Sequence, residues 1–378
     1  MTRHRARPWK EREQRTWGAL HIDGVKTMAD LFKLLEDHDY RAVAIVGMTK
    51  NVGKTVTLNY LVKKYEEQGH CLGLVSAGYD GERFDRLTLE EKPRIYTPQG
   101  AFLATAKACY DAAEAQLELI EETGLSTPLG PVYLARVKNS GLVEMAGPGS
   151  VSGLKKLLNK MIFFGAERVL VDGAINRIAS ASPELTEGTI LATGAALGPT
   201  MDDVIKKTVF RKALLETEPV ADKQLYRAAS RGLSEGDAAI INKNAPDGDK
   251  YIVEPVKAEI PLLAARQALE KYSRKTAAIA YGGALVESAM NNVLKLEPPY
   301  PAVIVKDATK IFISAESYNR YTSRGGKLKV LKQLNLAAVT LNPTDPGGRG
   351  YDPKMFLESM REALKPCPVF DLIYEGNL

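Results

Sequence analysis

The stretch Ala42-Val-Ala-Ile-Val-Gly-Met-Thr-Lys-Asn-Val-Gly-Lys-Thr-Val56 constrains this chain more than any other. Val43 to Val46 is an apolar run rich in β-branched residues, which predicts a buried parallel strand. A polar loop from Gly47 to Gly53 follows. Lys54-Thr55 then opens an amphipathic helix through Leu58, Leu61, Val62 and Tyr65. Strand, glycine-bounded loop and helix in that order make a phosphate cradle. Backbone N–H groups and the positive end of the helix converge on one point, where an anion is favoured. A tight strand-to-helix turn with a chance Gly-Lys-Thr is the alternative, but it leaves the placement of the flanking strand and helix unexplained.

In the cradle reading Gly47, Thr49, Lys50, Asn51, Val52, Gly53, Lys54, Thr55 and Val56 surround the nucleotide. Lys54 serves the β/γ-phosphates, and the Thr55 hydroxyl is placed to ligate Mg²⁺. Lys50 offers a second positive charge to the transition state. Between Gly47 and Gly53 the Walker A pattern has four residues; here there are five, Met48 to Val52. That spacing, with Val52 before the second glycine, resembles the dethiobiotin synthetase-like branch of P-loop proteins.

A chain of 378 residues can bury a large core and predicts two domains or one elaborated domain. Its 45% hydrophobic and 26% charged residues are those of a soluble globular protein, with no apolar run long enough to span a membrane. Cys71, Cys109 and Cys367 lie far apart without metal-ligand spacing, which predicts a reducing, cytoplasmic setting. His4, His21, His38 and His70 are scattered and sit in no metal or nucleophile motif. Much of the net charge of +5 lies in residues 1–26, in Arg3, Arg5, Arg7, Lys10, Arg12 and Arg15. No apolar h-region accompanies these charges, so the segment is not read as a secretory signal. Nor does a recognition motif or interleaved aromatic series, which argues against nucleic acid as the partner. Trp9 and Trp17 suggest that this arm docks.

Four regions are expected: the basic arm at 1–26, a phosphate-loop domain at 27–210, a second or inserted αβ domain at 211–333, and a return to the first domain at 334–378. The first domain is predicted to be α/β, a doubly wound, mostly parallel sheet. After a second strand, Cys71 to Val75, comes Ser76-Ala-Gly-Tyr-Asp80-Gly-Glu-Arg-Phe-Asp85. A carboxylate at that strand end can hold Mg²⁺ or orient water, and Asp80 is the preferred residue. A surface turn would use the same Asp-Gly pair. Residues 101–123 read as a long alanine-rich helix. Pro131–Val137 and Leu142–Met145 read as two strands joined by a turn, with Glu144 a candidate metal ligand. Gly147-Pro-Gly-Ser150 is either a second anion loop or a helix start.

Arg168-Val-Leu-Val-Asp172-Gly-Ala-Ile-Asn-Arg177 is a hydrophobic strand ending in an acid, as Walker B strands do. Asp172 is the candidate Mg²⁺ ligand, and Arg177 a candidate phosphate clamp. Asp202 and Asp203 suit the first turn of a helix and need no catalytic explanation. Short strands in 211–333 carry no catalytic constellation. Near the end, Ala337–Leu341 is a strand followed by Asn342-Pro343-Thr-Asp345.

Val171-Asp172-Gly173-Ala174 and Thr193-Gly194…Leu197-Gly198 also resemble the dethiobiotin synthetase-like pattern, with aspartate for glutamate and Ile175-Asn176 where glycine is expected. The resemblance implies that Asn342 reads adenine; an Asx-Pro turn is the other reading. Pro343 and Asp345 are grouped with it as nucleotide contacts.

Taken together, the Gly47–Thr55 loop, Gly78-Tyr-Asp-Gly-Glu82, Val171–Arg177 and Leu341–Asp345 resemble reactivase subunits of lysine 5,6-aminomutase or its ornithine relatives. Those mutases use adenosylcobalamin and pyridoxal phosphate. The resemblance implies a cytoplasmic, ATP- and Mg²⁺-dependent chaperone that helps exchange damaged cobalamin. It would be oligomeric and act with a MutS-like ATPase partner. An ATP-dependent ligase or kinase for a small carboxylate or amine, and a nucleotide-switched binding module, are the other two classes.

Overall fold

The computed structural model describes residues 30–78, 94–174, 180–243, 250–258 and 261–376. In chain order the elements are α1 (Leu31–Asp37), β1 (Ala42–Gly47), α2 (Lys54–Glu67), β2 (Leu72–Ser76), β3 (Ile95–Thr97), β4 (Phe102–Ala106) and α3 (Lys107–Asp111). Next come β5 (Gln116–Thr127), β6 (Gly130–Asn139), β7 (Gly141–Val143), α4 (Val151–Phe164), β8 (Arg168–Ala174), β9 (Gly188–Gly194) and α5 (Met201–Leu215). Then follow α6 (Lys223–Glu235), β10 (Ala238–Lys243), β11 (Tyr251–Val256), α7 (Pro261–Glu270), β12 (Thr276–Tyr281), β13 (Leu285–Val286) and α8 (Glu287–Val293). Last are β14 (Ala302–Val305), β15 (Ile311–Phe312), α9 (Ala315–Ser323), β16 (Leu328–Val330), β17 (Leu336–Asn342), α10 (Pro353–Leu364) and β18 (Val369–Phe370).

The main sheet has nine strands in the order β18-β17-β9-β1-β8-β2-β4-β6-β5. From β18 to β4 every neighbouring pair is parallel; β6 and β5 run antiparallel at one edge. Strand β1 sits in the middle of the parallel part, between β9 and β8. Every residue of β1 is buried, as an interior parallel strand demands. Its side chains alternate between two helical layers. Val43 and Ile45 pack with Leu58, Leu61 and Val62 of α2, while Ala44 and Val46 pack with Leu191 and with Val204 and Leu214 of α5. The chain is therefore mixed α/β, with a large, mostly parallel sheet covered on both faces.

Residues 238–330 build a second sheet in the order β11-β10-β12-β14-β16. One face carries Ala239, Ile241, Ala278, Ala280 and Ile304 against Ala228, Ala229 and Leu233 of α6. The other face, with Ile240, Ile279 and Val303, is continuous through Leu215 and Phe356 with the core of the main sheet. The boundary placed at residues 210/211 falls inside α5, so one helix serves both sheets.

One local expectation is corrected. Residues 101–123 are not a long helix: they form β4, the short α3 and the start of the long β5. β4 is buried on both faces and the amphipathic pattern of β5 is broken by bulges, so neither shows a clean alternation. The segments around 131–145 are two successive strands, as expected, and each takes its partners elsewhere. β6 pairs with β4 and β5, and β7 pairs with β3.

Candidate functional site

Because β1, β8, β9 and β17 are parallel, the loops that follow them open on one edge of the sheet, where open α/β folds bind ligands. The loop after β1 is anchored at its start by Met48 N–H donating to Ala192 O of β9 at 2.9 Å. Val52 is buried beneath it, while Thr49, Lys50 and Asn51 are exposed on top. Asn51 and Gly53 adopt left-handed backbone conformations, at φ 62° and 84°. At Gly53 a Cβ would also meet the Asn342 Cβ at 3.2 Å, so glycine is required on two counts. No side chain caps α2. Its first-turn N–H groups face the loop with the positive end of the helix dipole, as an anion site requires.

Lys54 lies in the first turn of α2, and its Nζ is 2.7 Å from Asp172 Oδ1. Asp172 stands on β8 directly opposite Ile45 of β1 and Ser76 of β2. The two side chains keep only 25% and 19% of their surface. Thr55, the next residue of α2, is half-buried. A cation and a carboxylate thus meet at the mouth of a glycine loop, and the next residue of the helix carries a hydroxyl. The hydroxyl and carboxylate are hard oxygen donors of the kind Mg²⁺ takes, and a single carboxylate with phosphate oxygens is its usual protein share. The residues present fit the group.

The loop after β17 leans on the phosphate loop. Asn342 Nδ2 donates to Asn51 O at 2.9 Å, and Asn342 Oδ1 accepts from Thr344 N at 3.2 Å and Thr344 Oγ1 at 3.0 Å. Gly194, at the end of β9, lies so close that a Cβ would stand 2.3 Å from Asn342 O. Pro343 turns its carbonyl to Tyr351 N at 2.9 Å. Asp345 Oδ1 accepts from Arg349 N at 3.0 Å, and Asp345 Oδ2 pairs with the Arg349 guanidinium at 2.9 Å. The same guanidinium donates to Ala195 O and Pro199 O. Asn342 therefore stands beside the loop, but its amide is engaged with protein.

Other predicted residues are placed less centrally. The backbone carbonyl of Glu144 accepts from Thr105 Oγ1 of β4, three strands from β1, or roughly 14 Å at normal strand spacing. Among the described residues no three His, Cys, Asp or Glu side chains come together to hold a metal. Ser150 caps α4 by accepting from Gly153 N at 3.1 Å, and Gly147 packs against Ser76 O, which favours the helix-start reading of that segment. Asp80, Glu82, Arg177, and the arm with Trp9 and Trp17 lie outside the described residues. Sequence reasoning missed a groove formed by Gly53, Val56, Thr57, Leu341, Asn342, Leu372 and Ile373. Leu372 and Ile373 come from the turn after β18, and no local pattern marks them.

No family model matches this chain, and no curated protein matches it. Among solved structures, the signal recognition particle receptor FtsY from Elizabethkingia anophelis aligns over 87% of this chain and 70% of that one. The alignment has 9% identity and a TM-score of 0.25. That degree of likeness carries no argument, and the α/β fold stands on this chain's own sheet order. Among the described residues no helix is long and apolar enough to cross a membrane.

Proposed function

We infer that this chain is a Mg²⁺-dependent nucleotide-binding protein that hydrolyses a purine nucleoside triphosphate. The observation that carries the reading is the Lys54–Asp172 pair, which joins the first residue of α2 to β8, the strand beside β1, at the mouth of the Gly47–Gly53 loop. Lys54 and the α2 amides would hold the β/γ-phosphates. Thr55 and Asp172 would hold Mg²⁺, which when bound offsets charge on the phosphates. The apolar rim of Val56 and Ile373 beside Gly53 would flank the base. Catalysis in such a site is positioning plus charge neutralisation, with Lys50 on the exposed crest of the loop as the second cation. Asp80 remains the candidate to orient water.

The sequence resemblance to aminomutase reactivases supports a reading of what the turnover serves: release of damaged cobalamin from an adenosylcobalamin-dependent aminomutase, together with a MutS-like ATPase. The test is nucleotide hydrolysis by wild type and Lys54→Ala, with and without inactivated aminomutase. Turnover raised by the mutase, and mutase recovery lost in the variant, are expected. Recovery unchanged in Lys54→Ala overturns the nucleotide-driven role. Turnover that instead requires a small carboxylate or amine identifies a ligase or kinase.

A further inference from the structure

We propose that Asn342 is a strut for the phosphate loop and that the site accepts adenine and guanine nucleotides alike. This rests on the nucleotide-binding reading above. A side-chain amide has two acceptor lone pairs and two donor hydrogens. Both acceptor positions of Asn342 Oδ1 are taken by Thr344, through its N–H and its hydroxyl. One donor is taken by Asn51 O. A single N–H remains.

That remaining N–H can meet N7, an acceptor common to adenine and guanine. Adenine differs by its exocyclic N6 amine, a donor, and Asn342 has no acceptor left to receive it. Guanine's N1–H and N2 amine call for a carboxylate. The nearest candidate in the same loop, Asp345, is held by Arg349 through its backbone N–H and its guanidinium. Arg349 is in turn fixed to Ala195 O and Pro199 O in the turn after β9. The adenine-specific pairing is thus closed within the protein at Asn342, and Asp345 is tied on both oxygens to Arg349 rather than left to orient on a base. What is left for the base is apolar contact with the rim formed by Val56 and Ile373, which every purine satisfies.

The Asn342–Asn51 bond has its own consequence. Asn51 holds a left-handed backbone conformation that costs a non-glycine residue energy, and its carbonyl is the atom Asn342 restrains. Asn342 is then a positioning residue. It acts on the phosphates through the loop rather than on the base.

The experiment is titration calorimetry of the full chain with Mg²⁺ plus ATP, GTP or inorganic tripolyphosphate, for wild type, Asn342→Ala and Thr344→Val. Wild type is expected to bind ATP and GTP within about tenfold of each other. Asn342→Ala should weaken all three ligands by a similar factor, about tenfold, because the damage is to the phosphate loop. Thr344→Val frees one lone pair of Asn342 Oδ1 and should shift preference toward ATP, a readout that a folding defect would not produce. A wild-type preference for one purine beyond about tenfold overturns the proposal. So does an Asn342→Ala variant that weakens ATP while leaving tripolyphosphate untouched. If wild type binds neither tripolyphosphate nor nucleotide, the phosphate-loop reading itself fails, and this inference with it.

Discussion

Lys54 Nζ lies 2.7 Å from Asp172 Oδ1, so the cation that opens α2 is neutralised by the acid of the neighbouring strand. With both side chains mostly buried but still wetted, the pair itself contributes only about 1 kcal/mol to folding. Its larger effect is on the ligand. Lys54→Ala should weaken Mg²⁺–nucleotide binding by about 100-fold or more, with a melting temperature lowered by only about 2 °C. Asp172→Asn should keep nucleotide binding in the absence of Mg²⁺ and lose its enhancement by Mg²⁺. Calorimetry with and without Mg²⁺ separates the two. Equal losses in both variants, independent of Mg²⁺, would remove Asp172 from the metal role.

Two buried threonine pairs clasp helices to the sheet beside the site. Thr57 of α2 meets Thr340 of β17 at 2.9 Å, and Thr193 of β9 meets Thr208 of α5 at 2.9 Å. Thr57→Val strands the Thr340 hydroxyl away from water and should cost about 1–3 kcal/mol. The double variant Thr57→Val/Thr340→Val removes both polar groups, so its loss should fall clearly below the sum of the single losses. Denaturant unfolding of the four proteins in the cycle measures the difference. Strict additivity would show that the two hydroxyls are not coupled.

The parts of this architecture that were legible in the sequence are those whose signal is local. Val43–Val46 is a continuous buried run, and Gly53-Lys54-Thr55 sits at its end, so β1, the loop and α2 follow from one window of chain. Asp172 was legible because the apolar run of β8, Val169 to Val171, stops at it. β4 and β5 were not, because their partner β6 is a later segment, and an alanine-rich stretch favours helix until strand pairing overrides that propensity. The state of Asn342 and Asp345 was also hidden. Asn342 is spent on Asn51, 291 residues away, and Arg349 on Ala195, 154 residues away. Side-chain saturation of that kind is set by tertiary packing and leaves no periodicity behind.

Strong acid should loosen the start of α6. Asp222 caps that helix, accepting from Gln224 N at 2.9 Å and Leu225 N at 3.2 Å, and it also receives Lys250 and Tyr251. The hydrogen bond from the Lys250 ammonium leads in holding its carboxyl down, to about 2. Since the folded value lies below the unfolded value near 4, the contribution to stability is complete above about pH 4. It is lost as pH falls toward 2. Asp222→Ala should remove this part of the acid dependence and cost about 0.5–2 kcal/mol at neutral pH. Unfolding curves at pH 7, 4 and 2.5 for both proteins test it, and an unchanged pH slope in the variant would rule out Asp222 as its source.

The shared core makes a prediction about cooperativity. Leu215, at the end of α5, is fully buried in the cluster that joins Val46 and Leu191 of the main sheet to Ile279 and Val303 of the second. Leu215→Ala should cost about 2–5 kcal/mol through lost burial and a residual cavity. Because the cluster is continuous, that loss should be felt on both sides of α5. Amide exchange is the measurement: protection in β1 and in β12 should fall by the same free energy, as members of one cooperative unit do. If β12 loses protection while β1 keeps it, residues 238–330 open as an independent unit. The α5 face is then a docking surface between two domains, and any effect of the second sheet on the nucleotide site must pass through that surface.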